Sequence, residues 1–250
     1  MAGSKAYARI ARRVSEWARR QPNPAREAHR RMYTGLIHSF GTVLSSEPSD
    51  AGRRMVIAIP ESLLNEPGPI PGESINLDGC CVSLVDCEPA GPPHEDHLAV
   101  AFDATHQTLE NTTLGELAAG DRVHLERSCT PKTLLGGHMV QGHVDGVARV
   151  LEVTETPQWR IRIAPPEHLM PFVSPRGSIC VSGVSLTIAE LSVADGWFEV
   201  ALIPDTLDRT TLGSLKAGDG VNLECDCMVK ALIHWQTHYA AETDAIQPKA

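Results

Sequence analysis

The chain repeats itself. Thr108–Glu126 reads TLENTTLGELAAGDRVHLE and Thr206–Glu224 reads TLDRTTLGSLKAGDGVNLE, identical at 13 of 19 positions. Upstream, Gly72–Leu84 (GESINLDGCCVSL) aligns with Arg176–Ile188 (RGSICVSGVSLTI), which sets Ser74 over Ser178 and Gly79 over Gly183. The offset is 104 in that block and 98 in the later one, so the first copy holds about six extra residues, most simply in the Pro-rich stretch Cys87–Asp96. The openings align more loosely, with Gly35 and Ile37 over Gly142 and Val144. At roughly a hundred residues each, two copies joined head to tail are each long enough to bury a core of their own.

Within each copy the texture is short β-type runs broken by Gly, Pro and Asp. Examples are Gly72–Val85, His97–Phe102, Arg160–Ile163, Ser178–Ile188, Trp197–Ile203 and Val221–Asp226. Such runs without long intervening helices predict small closed barrels or sandwiches. In each copy Thr-Thr-Leu-Gly-x-Leu caps a short turn, and Gly-Asp then opens a strand that alternates Val and Leu inward. Met228–Asp244 breaks this pattern: Val229, Leu232, Ile233, Gln236 and Tyr239–Ala240 fall at helical spacing. A terminal amphipathic helix needs cover, either from its own chain or from a second copy.

The ends differ from the body. Residues 1–31 hold nine Lys/Arg against two Asp/Glu, while the remainder is acidic enough to bring the net charge to -9. Tyr7, Ile10, Ala11, Val14 and Trp17 sit at helical spacing, stopped by Pro22 and Pro24. Arg-rich leaders of this kind occur as transit peptides or membrane-surface helices, but the simpler reading is a passive basic extension ahead of a domain opening at Met32. An acidic body argues against nucleic acid as a partner, since phosphates need cationic surface. No apolar run approaches the ~20 residues of a membrane span. Seven cysteines, an odd number at irregular spacing, favour free thiols in a reducing cytoplasm.

Where the copies differ, their roles can divide. Cys81 stands over Ser185, a polarizable thiol against a hydroxyl, and Ser83 stands over Thr187 on the same strand face. Such residues on strands are more often core or edge positions than catalysts. The segment Gly136–Asp145 (GGHMVQGHVD) is more pointed: paired glycines suit close backbone approach to a ligand, and His138 and His143 can move protons near neutral pH. A zinc site drawn from His138, His143 and Cys80, Cys81, Cys225 or Cys227 fits no compact zinc module. A Ser185–His143–Asp145 triad lacks a nucleophile elbow. Neither a phosphate loop nor a dinucleotide fingerprint is present.

Taken in order, MYTGLI at Met32–Ile37, GESINLDGCCVSL, TLENTTLGELAAGDRVHLE, GGHMVQGHVDG, RGSICVSGVSLTI and LIPDTLDRTTLG resemble riboflavin synthase of the duplicated-barrel type, from Met32 to about Lys230. The resemblance implies an all-β chain of two tandem Greek-key-like six-stranded barrels followed by a C-terminal α-helix. It divides the chain into a basic extension (1–31), a first lumazine-binding barrel (32–135), a second (136–227), and a helix and tail (228–250). It further implies a homotrimer in the cytoplasm, without metal or organic cofactor. Two molecules of 6,7-dimethyl-8-ribityllumazine would dismutate there by four-carbon transfer to riboflavin and a 5-amino-6-ribitylaminopyrimidinedione.

The site would lie between the first barrel of one subunit and the second barrel of its neighbour. Carried over by motif, Gly35, Leu36 and Ile37 with Ser185, Leu186, Thr187 and Leu202, Ile203, Pro204, Asp205, Thr206 and Leu207 would cradle one lumazine. Cys80, Cys81 and Val82, Phe102, Asp103, Ala104, Thr105, His106 and Gln107, Gly142, His143 and Val144, and Arg176 would cradle the other. Cys81, His143, Ser185 and Thr187 form the implied reacting centre, and Asp226 resembles an acidic position at the subunit junction. The chain departs from the family pattern at Tyr33 (usually Phe), Arg176 (commonly Lys), Ser182 (usually Asp) and Gln107–Asn111, where local charge is reversed.

Overall fold

The computed structural model describes residues 32–64 and 68–240, so the basic leader and the last residues of the expected terminal helix lie outside the described residues. Twelve strands are described. In the first copy they are β1 (Ser39–Ser49), β2 (Gly52–Pro60), β3 (Ser74–Leu77), β4 (Cys80–Pro89), β5 (His97–Thr105) and β6 (Arg122–Arg127). In the second they are β7 (Gly146–Thr154), β8 (Arg160–Ala164), β9 (Ser178–Val181), β10 (Val184–Ser192), β11 (Trp197–Ala201) and β12 (Gly220–Cys225). Each set closes into a barrel, ordered β1-β2-β5-β4-β3-β6 and, in the same sense, β7-β8-β11-β10-β9-β12. Closure removes the free sheet edges that short strands would otherwise expose. The extra residues of the first copy fall in and beside the β4–β5 connection, where the seven residues Ala90–Asp96 replace the four of Val193–Gly196 and the flanking strands are longer.

Alternation along the strands builds two cores. Ile57, Ile75, Leu77, Val100, Phe102, Val123 and Leu125 fill the first barrel. Ile161, Ile163, Ile179, Val181, Ile188, Phe198, Val221 and Leu223 fill the second. Fully burying each such side chain contributes about 1.5–3 kcal/mol. The duplicated Thr-Leu-x-x-Thr-Thr-Leu-Gly motif forms a short helix and then a 3-10 turn in both copies: α1 (His106–Asn111) with Thr113–Glu116, and α2 (Pro204–Arg209) with Thr211–Ser214. Thr112 and Thr210 cap the two turns alike, accepting from Leu114 N and Leu212 N.

The two barrels exchange their opening segments. Residues 34–37 of the first copy run across the second barrel, where the Gly35 carbonyl accepts from Ser185 N at 2.8 Å and Ile37 enters the second core. Residues 141–144 of the second copy run across the first barrel, where the Gly142 carbonyl accepts from Cys81 N at 2.8 Å and Val144 packs on the first core. The segments pair where they cross, with Tyr33 N donating to Val140 O at 2.7 Å and Val140 N to Tyr33 O at 3.1 Å. Gly35 and Gly142 take φ of +73° and +75°, and a Cβ on either would strike the strand residue beneath, Ser185 or Cys81.

Two further pairs seal the junction with the same approximate two-fold symmetry. The hairpin turns Asp78-Gly79 and Ser182-Gly183 abut, and a Cβ on either glycine would come within 2.8 Å of the other's backbone nitrogen. His124 and Asn222, equivalent in the repeat, both reach across. Asn222 accepts from Thr113 N at 2.7 Å and donates to Asp78 O at 2.8 Å. His124 accepts from Thr211 N at Nε2 (2.8 Å) and meets Ser182 O at Nδ1 (2.7 Å). Because a backbone N–H can only donate, Nε2 is the bare nitrogen and Nδ1 carries the proton. A neutral imidazole thereby reproduces the acceptor–donor pair of the asparagine. Ser182 is thus a junction turn residue whose carbonyl does the bonding.

The terminal helix α3 spans Cys227–His238 and is capped by Asp226, whose carboxylate accepts from Met228 N and Val229 N. Lys230 ties it to the barrel through Asp145 at 2.9 Å. Its opposite side carries Met228, Leu232, Trp235 and Tyr239, each between 47% and 75% exposed. Among the described residues no helix is long and apolar enough to cross a membrane, and all seven cysteines are unpaired.

Candidate active site

Cys81 and Ser185 occupy equivalent places, one residue into β4 and β10 respectively. They point outward while Val82 and Leu186 point into the cores. Ser83 and Thr187 follow on the same outer faces, both exposed. Each strand is crossed by the exchanged segment of the other copy, so each outward side chain lies beside backbone from both copies. Ser185–Thr187 lies with Gly35–Ile37, and Cys81 lies with Gly142–Val144, as the motif carry-over grouped them.

Several of the expected contacts can be made only through the backbone. Val82, Phe102, Ala104, Leu186, Leu202 and Ile37 are buried, with their side chains in the barrel cores. Cys80 is buried as well, and that burial pushes its thiol up to about 12. The exposed members are Thr105, which caps α1, with His106 and Gln107 in its first turn, and Ile203, which precedes Pro204, Asp205 and Thr206 in α2. Leu207 packs on the second core. Asp103 is taken up by Arg54 at 2.8 Å, and Asp205 by Arg209 at 2.8 Å. Arg176 lies before β9 at φ +59°, exposed and on the second barrel. Within one chain it therefore joins the Ser185 side, not the Cys81 cradle to which the motif assigned it.

The imidazole nearest Ser185 is His138. Its Nδ1 stands 2.7 Å from Ser185 Oγ. Burial lowers its pKa below the usual 6.5, opposed by the nearby charge of Asp226. A mostly neutral imidazole on a serine hydroxyl can take and return a proton. The linker reaches Ser185 because Gly137 has no side chain: a Cβ there would collide with the Thr34 carbonyl and come within 2.9 Å of Ser185 Oγ. Of the paired glycines, Gly137 thus serves close approach to the protein's own strand, while Gly136 lies beside the Leu36 side chain. His143 is exposed on the Cys81 side, and its backbone N donates to Glu224. The geometry gives it no contact with Ser185. Across the junction, the Tyr33 hydroxyl donates to Cys81 Sγ at 3.1 Å.

Two buried carboxylates hold the exchanged segments. Glu126 accepts from Thr34 N (2.6 Å), Thr34 Oγ1 (2.7 Å) and Gly35 N (3.0 Å). Its repeat partner Glu224 accepts from Gln141 N (2.7 Å) and His143 N (2.9 Å). Both were missed by motif reading. The available signal was a charged residue kept in both copies at the end of an inward-alternating Val-x-Leu-Glu strand. Burial pushes Glu224 up to about 7 from 4.5, against the pull of its two backbone donors and Lys230. Between those values the folded state binds a proton that the unfolded state has lost. Stability from this group is therefore greatest below pH 4.5 and is lost as pH rises to about 7. Glu224→Gln is expected to flatten that part of a denaturant-midpoint profile. An unchanged slope would remove Glu224 as its source.

The lumazine binding domain model matches residues 34–128 and 141–226. The chain belongs to the riboflavin synthase family. Curated riboflavin synthases from Mycobacterium tuberculosis and Escherichia coli K12 are 38% and 32% identical to it. The alignments cover 80% and 81% of this chain and 95% and 90% of theirs. Membership makes the protein an enzyme, a transferase. Among solved structures, LumP complexed with 6,7-dimethyl-8-(1'-D-ribityl) lumazine superimposes with a TM-score of 0.65 at 26% identity, over 78% of this chain and 99% of that one. LumP complexed with riboflavin matches with the same TM-score and coverage at 29% identity. Among the described residues, no three His, Cys, Asp or Glu side chains are grouped as a metal site would require.

Proposed function

We propose that the protein catalyses the dismutation of two 6,7-dimethyl-8-ribityllumazine molecules to riboflavin and 5-amino-6-ribitylaminopyrimidinedione. The observation that carries this reading is the pair of like crossings, each made from both copies, with unlike residues, Cys81 and Ser185, beneath them; each crossing is read as the cradle of one lumazine. A reaction joining two identical molecules needs two like binding sites, and assigning donor and acceptor needs them to differ. The two substrates together contain the atoms of both products, so no external oxidant or reductant enters. The ring delocalises a carbanion formed at the C7 methyl. The protein's task is to hold two rings face to face and to relay protons. Ser185 with His138 supplies a proton relay at one cradle, Thr187 a second hydroxyl on the same face, and Cys81 a thiol at the other.

In this reading each reaction takes one cradle from each of two chains. The exposed side of α3 is where copies meet, in a trimer, and Arg176 reaches the Cys81 cradle of a neighbouring chain. The free thiols suit the cytoplasm. Leu232→Asp combined with Trp235→Asp is expected to convert trimers to single chains in analytical ultracentrifugation and to remove most of the turnover. Full turnover by single chains would end the shared-site reading.

The deciding experiment gives purified protein 6,7-dimethyl-8-ribityllumazine as its only organic substrate and follows riboflavin by its fluorescence and mass. Riboflavin and the pyrimidinedione are expected in equal amounts. Tight binding without product would overturn this reading in favour of lumazine or flavin binding without turnover.

A further inference from the structure

Tyr33 carries one atom more than a phenylalanine would, and that hydroxyl is accounted for. The residue is fully buried. Its backbone is pinned to Val140 on both sides. Its ring edge lies against Gly142, where a Cβ would come within 2.9 Å of Cε2. Val140, Cys180 and Cys81 surround it. Ser128, which flanks the phenol, has its own hydroxyl proton committed to Ser74 O at 2.6 Å. The Tyr33 proton is given to Cys81 Sγ at 3.1 Å. Burial raises the phenol far above its ordinary 10, so this donor is permanent across the working pH range.

A thiol has one weak donor and a weakly accepting sulfur. With the Cys81 sulfur already accepting from Tyr33 and its backbone N–H held by Gly142 O, rotation of the side chain is restricted. The S–H is then left to point away from the phenol. At the other cradle Ser185 has an imidazole as partner, so the two equivalent positions are supported by unlike groups.

We infer that Tyr33 is a positioning residue for Cys81: its hydroxyl occupies the sulfur and aims the thiol hydrogen at an acceptor on the ligand in the first-barrel cradle. This rests on the catalytic reading above and deepens it. A phenylalanine would keep the ring and its packing and lose only the donor.

The test is Tyr33→Phe in the full-length protein, alone and with Cys81→Ala. Tyr33→Phe is expected to lower kcat about three- to tenfold with KM within about twofold, as small misplacements of a reacting group do. Release of the side chain is also expected to speed alkylation of Cys81 by iodoacetamide, followed by mass spectrometry of its peptide. The adjacent Cys80 thiol, buried and pushed up to about 12, will not compete. In the Cys81→Ala background the second substitution should change turnover no further. Equal losses in both backgrounds would mean that Tyr33 acts on packing, and unchanged alkylation in the single variant would mean that it does not hold the thiol. Either result overturns the inference. If wild-type protein forms no riboflavin, the catalytic reading fails on that account alone, while the alkylation arm still decides whether Tyr33 governs Cys81.

Discussion

His138→Ala is expected to slow riboflavin formation by about two orders of magnitude, the usual scale for removing a positioned proton-transfer group. The side chain lies 2.7 Å from Ser185 Oγ, and burial lowers its pKa below the usual 6.5. Its removal leaves Ser185 a bare hydroxyl with no base beside it. If the two act as one relay, Ser185→Ala and the double variant should be similarly slow, because residues that work as a unit lose their effect together. Additive losses would show that His138 serves binding separately. Full activity in His138→Ala would remove it from the chemistry. Folding is checked by the thermal midpoint, since His138 belongs to a linker and to neither barrel core. The repeat offers no second histidine: counted by the offset that sets Gly35 on Gly142, His138 falls on Arg31 and His143 on Leu36. An imidazole at this position is therefore found in the second copy alone.

Much of the architecture was legible because duplication makes each copy a check on the other. The strand runs, the Asp/Ser-Gly hairpins and the threonine-capped turns all recur where they were expected, and the family motifs pointed to two closed barrels. The exchange of opening segments was legible only through the family resemblance, which set Gly35 with Ser185 and Gly142 with Cys81; the residue pattern alone could not give it, for a physical reason. Two copies that are alike can seat Gly35 on Ser185 or on Cys81 with nearly the same contacts, so the pattern cannot say which barrel a segment covers. Chain path decides it, through the length of the linker and the symmetry of the junction. The pattern likewise could not separate His138 from His143. Both lie in one glycine-flanked segment, and only the path across Ser185 separates an exposed imidazole from a bonded one. Glu126 and Glu224 were passed over because a buried acid with backbone partners looks, in sequence, like an ordinary polar strand end.

Where the barrels touch, backbone meets backbone, and glycine substitution isolates that contact. Gly79 has φ +87°, and a Cβ there would come within 2.8 Å of the Gly183 nitrogen. Gly120 has a similar φ of +97°, but nothing lies within 4 Å of its imagined Cβ. Alanine at either position meets the same backbone preference, worth about 1–3 kcal/mol in the left-handed region. Only at Gly79 must it also displace backbone across the junction, which cannot swing aside as a flexible side chain would. Gly120→Ala is therefore expected to cost about 1 kcal/mol in denaturant unfolding, and Gly79→Ala at least about 2 kcal/mol more. The cost should fall on both barrels at once: His124 and Asn222 bond across the same junction to Thr211, Ser182, Thr113 and Asp78, so a parted junction leaves those groups unpaired. Gly183→Ala should match Gly79→Ala, because each glycine is the other's neighbour. Equal costs at Gly79 and Gly120 would show that the barrels yield at their junction. The cradles would then have to be held by the exchanged segments alone, through Glu126 and Glu224.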